Sequence, residues 1–205
     1  MHTQTKETQA NLTPKAALEL LKKGNQRFLN NNMVNRNFAA QVEATSTGQF
    51  PLACVLGCID SRVPSELVFD QGFGDLFNVR IAGNFVNTDI LGSMEFACKV
   101  AGSKLILVLG HTQCGAVKGA CDHVQLGNLT TMLENFDPVL DATDYSGDRS
   151  SKNTEFVDLV TQKNVEMTID KIRKESPVLN EMEKNGEILI AGALYDVADG
   201  TVSFL

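Results

Sequence analysis

A chain of 205 residues, 43% hydrophobic and 21% charged, has the size and balance of one globular domain that buries its core without disulfide staples. Its net charge of -7, with 18 Lys and Arg in no long run, excludes the basic patch that a nucleic-acid surface needs. No run approaches the roughly 18 apolar residues of a spanning helix, and the N-terminal MHTQTKETQANLTPK lacks a signal-peptide core, so a cytoplasmic protein without membrane contact is expected.

The first predicted element is a helix from Pro14 to Leu29, capped by Thr13, with Ala17, Leu18, Leu21 and Phe28 on one face. Gly24 and Asn25 interrupt that face, and an asparagine cluster at 30–32 ends it. LACVLG at 52–57 is the short apolar run of a strand buried on both faces. LFNVRIA at 76–82 predicts a second strand, ILGSMEFACKV at 90–100 a helix stopped by Gly102, and KLILVL at 104–109 a third strand.

Helices are predicted from about Gly115, from about Leu129, and from about Glu155 to Lys174. ILIAGALY at 188–195 reads as a fourth strand, returning through an Asp199-Gly200 turn to a last strand at 201–205. The alternation implies an α/β fold: a central, mainly parallel sheet with an antiparallel edge strand, flanked by helices. The expected organisation is a single domain over 1–205. Within it lie an N-terminal helical arm (1–35), a core segment (50–125), a surface loop (141–154) and C-terminal strands (187–205).

Loops that leave the C-terminal ends of parallel strands gather along one edge of the sheet, where ligands bind. CIDSR (58–62) follows the first strand and HTQC (111–114) follows the third, so two distant fragments can form one site. Cys58, His111 and Cys114 offer two thiolates and an imidazole, a donor set that suits Zn²⁺, one ion per chain. Cys54 lies four residues before Cys58 on a strand, roughly 13 Å away, and Cys121 lies seven after Cys114, about 10 Å along a helix; both are too far to share the ion. Cys98, among Met94, Phe96 and Ala97, reads as core. The five cysteines, odd in number and irregular in spacing, fit reduced thiols or metal ligands rather than a secreted disulfide framework.

Asp60 can either take the fourth metal position or be held off it by a bidentate pair with Arg62. In the second case a water fills that position, its pKa lowered to about 7, and Asp60 orients the resulting hydroxide. A small apolar substrate would need apolar walls, for which Phe77, Ala82 and Val86 are candidates. His2 stands near the terminus, and His123 reads as a surface histidine; neither is a convincing ligand or proton shuttle.

These strings resemble the β-class carbonic anhydrases: CIDSRVPSE, FDQGFGDLFNVRIAGN, LGSMEFA and LGHTQCGAVKGA in order, then YDVADG near the C-terminus. The resemblance implies zinc-dependent, reversible hydration of carbon dioxide to bicarbonate and a proton, by zinc-bound hydroxide. It implies Cys58, His111 and Cys114 as zinc ligands and Asp60 with Arg62 as the catalytic dyad, Asp60 becoming the fourth ligand in a closed resting form. It makes Gln49 and Phe77 residues of the carbon dioxide pocket, with Gln49 supplied by a neighbouring subunit. Arg80, Gly83 and Asn84 would shape the backbone of the site. N-terminal helices packed on a partner protomer are implied too, in a homodimer or a dimer-of-dimers tetramer. Where a subset of that family carries a tryptophan for a regulatory bicarbonate site, this chain has Val55, so that regulation is expected to be absent or weak. Alternatives on the same scaffold are hydrolysis of carbonyl sulfide or carbon disulfide, or a non-catalytic zinc-thiolate protein used for structure or sensing.

Overall fold

The computed structural model describes residues 3–205; His2 lies outside them. Five strands form one sheet: β1 (Ala53–Gly57), β2 (Leu76–Arg80), β3 (Leu105–His111), β4 (Leu189–Tyr195) and β5 (Val202–Phe204). Their order is β2-β1-β3-β4-β5, parallel except for the antiparallel β4–β5 pair at one edge. The expected α/β architecture with an antiparallel edge strand is therefore what the chain adopts.

Every residue of β1 and β3 is buried, as continuous apolar runs in a covered parallel sheet must be. Alternate side chains serve opposite layers. Cys54, Leu56, Ile106 and Val108 pack under α5 (Thr88–Glu95), α9 (Thr154–Glu175) and α10 (Pro177–Lys184), against Met94, Val165, Ile172 and Leu179. Ala53, Val55, Leu105, Leu107 and Leu109 face the other way, toward Ala17 and Leu21 of α2 (Pro14–Leu29) and Val68 of α4 (Ser65–Val68). A third cluster gathers α6 (Gly115–Cys121), α7 (Gly127–Leu133), α8 (Asp137–Ala142) and the start of α9 around Phe136 and Phe156.

Helix α2 has the predicted limits, capped by the Thr13 hydroxyl accepting from the Ala16 N–H. Short helices α1 (Lys6–Ala10), α3 (Phe38–Thr45) and α4 escape the periodicity reading because each is brief and weakly striped, while α10, capped by Ser176 with Leu179 and Met182 buried on one face, follows α9 directly. The helix read over 90–100 begins at Thr88, capped by Asn87, and its last turn, Phe96–Val100, is a π-helical turn. β3 runs two residues further than predicted, through His111, because β4 pairs with it as far as Tyr195. The β4–β5 connection is also wider than a two-residue turn. Asp196 donates its N–H to the Thr201 carbonyl and accepts from the Gly200 N–H, closing a compact loop over 196–201.

Candidate metal centre

Because β1 and β3 are parallel neighbours in register, Gly57 opposite Leu109, their C-terminal ends deliver Cys58 and His111 to the same edge. Cys114 follows two residues after Thr112, at the start of α6, and Gln113 between them adopts φ 57° to make the turn. The Sγ atoms of Cys58 and Cys114 are 4.0 Å apart. These sulfurs and a ring nitrogen of His111 all lie within 4.8 Å of one another, and all three residues are buried.

The imidazole shows which nitrogen faces the sulfurs. His111 Nδ1 is 2.9 Å from the Thr112 carbonyl, which can only accept, so Nδ1 carries the proton. Nε2 is buried with no hydrogen-bond partner. A buried nitrogen with a free lone pair, between two sulfurs, is what a tetrahedral ion completes; ideal zinc–sulfur bonds put such sulfurs about 3.8 Å apart. The donor set fits zinc.

The thiols are electrostatically unequal. Cys58 is pulled down from its ordinary value by a hydrogen bond from Cys114, against the opposing push of burial, and the Gly83 N–H at 3.3 Å adds to the pull. Cys114 is pushed up by donating to Cys58 and by burial. Burial pushes Cys54 up, Cys98 up to about 12 and Cys121 up to about 11, so those three stay thiols. All five cysteines are free of disulfides.

Asp60 stands at the rim, its Oδ2 3.9 Å from His111 Nε2. Arg62 clasps it with Nε to Oδ1 at 2.9 Å and a terminal nitrogen to Oδ2 at 2.7 Å, while the Arg62 backbone N–H also reaches Oδ1 at 2.9 Å. These hydrogen bonds hold the Asp60 carboxyl far below the usual carboxylate range. Arg80, at the end of β2, donates to the Cys58 carbonyl at 2.8 Å and the Asp60 carbonyl at 2.6 Å, fixing the turn that carries both. Gly83 has φ 80°, and its carbonyl accepts from Asn164 Nδ2 at 2.9 Å.

The apolar candidates are placed differently. Val86 is fully buried beneath α5 and α9. Ala82 is half-buried beside Gly83. Phe77 packs edge-on against Phe96 and lines a groove of about 720 Å³ along β2, with Arg80 and Thr88; none of the three ligand residues lines it. Gln49 is exposed, and so is His123. Asn164 and Thr112 carry no strong metal donor and Asp196 lies far from both fragments in sequence, so no local signal joins them to the site; only the YDVADG match marks Asp196.

A family model described as carbonic anhydrase matches residues 53–202. Carbonic anhydrase 2 of Mycobacterium tuberculosis is 35% identical over 196 residues, covering 93% of this chain and 92% of that relative. The crystal structure of a β-carbonic anhydrase from Aspergillus fumigatus matches with a TM-score of 0.70 at 25% identity, covering 93% of this chain and 89% of that one. A tetrameric β-carbonic anhydrase from Sordaria macrospora matches with a TM-score of 0.68 at 28% identity, covering 82% of this chain and 90% of that one.

Proposed function

The chain belongs to the β-class carbonic anhydrase family, and from that premise we propose that it catalyses the reversible hydration of carbon dioxide at a zinc ion held by Cys58, His111 and Cys114. The observation that carries the reading is the bare, buried Nε2 of His111 facing the two sulfurs, beside a carboxylate that Arg62 already occupies. Zinc bound there supplies a Lewis acid that makes a coordinated water nucleophilic near neutral pH.

The protein's own groups do the rest. Cys58 meets the ion as a thiolate stabilised by the Gly83 N–H, and His111 presents Nε2 because Thr112 holds the Nδ1 proton. Asp60, kept ionised and aimed by Arg62, accepts a hydrogen bond from the nucleophile and so fixes which lone pair points at the carbon atom. Arg80 locks the Cys58–Asp60 turn, keeping these distances from drifting. A purely structural zinc site has no use for the Asp60–Arg62 clasp.

The same reading takes a homodimer as the working unit, alone or paired into a tetramer, with the N-terminal helices packed on the partner protomer. Its support is that Gln49 is exposed and that Phe77 opens onto a groove none of the ligand residues lines; both would complete a partner's pocket. Free cysteines throughout support a cytoplasmic location. Among the described residues no helix is long and apolar enough to cross a membrane.

Stopped-flow carbon dioxide hydration, run beside metal analysis, tests the proposal. One zinc per chain with rapid hydration is expected, and Cys58→Ser should lose both together. Bound zinc without hydration anywhere between about pH 6.5 and 9 would leave only a structural site, and full activity in metal-free protein would remove the metal reading.

A further inference from the structure

His111 depends for its orientation on one acceptor, the carbonyl of Thr112. That residue is fastened from the far side of the sheet. Its backbone N–H donates to the Tyr195 carbonyl at 2.9 Å, continuing the β3–β4 register in which His111 faces Tyr195. Its hydroxyl accepts from the Val197 N–H at 3.0 Å and donates to Asp196 Oδ1 at 3.1 Å. The same oxygen of Asp196 accepts from the Ala198 N–H at 2.8 Å. Of these ties, the only one between two side chains is Thr112–Asp196.

We infer that Asp196 is a positioning residue for His111: through the Thr112 hydroxyl it fixes the carbonyl that holds the imidazole, and so aims Nε2 at the ion. A turn residue serving only its own loop would need no more than the Ala198 N–H and the closure to Thr201. Asp196 instead spends its Oδ1 on the strand that carries the ligand. Partners one shell beyond a metal's ligands typically change metal affinity by about 10–100-fold when removed. The tie is also the one contact that Thr112→Val and Asp196→Ala both remove; the first loses the Val197 N–H contact with it, the second the Ala198 N–H contact.

The inference rests on the zinc reading above, and the test separates the two. Zinc dissociation constants are measured on the full chain by competition with a chromophoric chelator, with the cobalt(II) absorption spectrum and the melting temperature taken alongside. Asp196→Ala and Thr112→Val should each weaken zinc binding about tenfold and alter the cobalt spectrum. The double variant should be no weaker than the worse single one, because both break one chain of contacts. Asp196→Asn keeps an acceptor oxygen, and Thr112→Ser keeps the hydroxyl; both should bind zinc nearly as the parent does. Should Asp196→Ala fail to fold, the Thr112→Val and Thr112→Ser pair carries the decision. An unchanged zinc constant and cobalt spectrum in Thr112→Val or Asp196→Ala, whatever the melting temperature does, overturns the inference and leaves the zinc site standing. A parent protein that binds no zinc overturns both.

Discussion

Arg62 holds Asp60 at three points, two from its guanidinium and one from its own backbone N–H, and the acceptor residue is only two positions away in the chain. Half of the Arg62 side chain is exposed, so the clasp owes its order to fork-on-carboxylate geometry and the short tether rather than to burial. Arg62→Lys keeps the charge but loses the fork. Carbon dioxide hydration is expected to fall about 10–100-fold in Arg62→Lys and further in Arg62→Ala, with zinc content unchanged. Parental activity in both variants would show that Asp60 needs no partner.

Gly83 supplies the N–H that reaches the Cys58 sulfur, from a backbone at φ 80°. A Cβ there would sit 2.3 Å from Cζ of Phe136, a side chain with no exposure and no room to retreat. Gly83→Ala is expected to cost upwards of about 2 kcal/mol, from overpacking and left-handed strain together. Urea denaturation measures the stability loss, and chelator competition should show weaker zinc binding in whatever protein still folds.

Much of this candidate site was legible in the sequence because the residues that could hold a metal stand at or just past the ends of strands β1 and β3, and continuous apolar runs announce such strands. The sheet edge brings Cys58 to His111 without any local signal joining them. Gly24 and Asn25 were misleading. Read as a weakness in α2, they are its docking seam: Asn25 Nδ2 donates to the Val68 and Gly200 carbonyls and its Oδ1 accepts from the Val202 N–H. Periodicity scores polarity and cannot see a polar side chain spending its hydrogen bonds on another segment's backbone. The Thr112–Asp196 tie was hidden for the same reason, joining residues 84 positions apart through an ordinary threonine.

Gly24 therefore yields a sign reversal. In an exposed helix, Gly→Ala gains up to about 1 kcal/mol. Here an added Cβ would lie 1.8 Å from the Phe69 carbonyl oxygen, so helix and backbone must separate. Gly24→Ala is expected to destabilise the fold by more than that gain; a raised melting temperature would contradict this docking.

Asp70, fully buried, meets Arg27 at 2.5 Å and Arg36 at closer range. Burial pushes its carboxyl up, but the hydrogen bonds from Arg27 and Arg36 outweigh it, and the net direction is down. A carboxyl depressed on folding contributes stability above its unfolded value, near 3.9, and loses it as pH falls through the lower folded one. Asp70→Asn suits the φ of 46° and removes the charge. It is expected to cost on the order of 3 kcal/mol at neutral pH and to flatten the loss of stability as pH falls below about 4. Urea midpoints across that range decide it, and an acid slope equal to the parent's would contradict the assignment.

Asp158 has the opposite sign. Burial pushes its carboxyl up, Asp196 adds to the shift, Lys118 opposes it, and Oδ1 is buried without a partner. A carboxyl raised on folding destabilises once pH climbs past its unfolded value, fully so above the folded one. Asp158→Asn should match the parent near pH 3 and be more stable than it at pH 8. An equal difference at both pH values would mean the charge plays no part.

Cys58 and Cys114, the two proposed sulfur ligands, are 56 positions apart in sequence, one just past β1 and the other at the start of α6. In polymer terms, an ion bound to both ties off a loop containing β2, α5 and β3. If the tie persisted in the denatured chain, as a disulfide does, closing a loop of that length would lower the entropy of the unfolded ensemble by an amount worth about 4 kcal/mol at room temperature. Loss of the ion would then lower the stability of the whole fold by a similar amount, by freeing the unfolded chain rather than by loosening the native sheet.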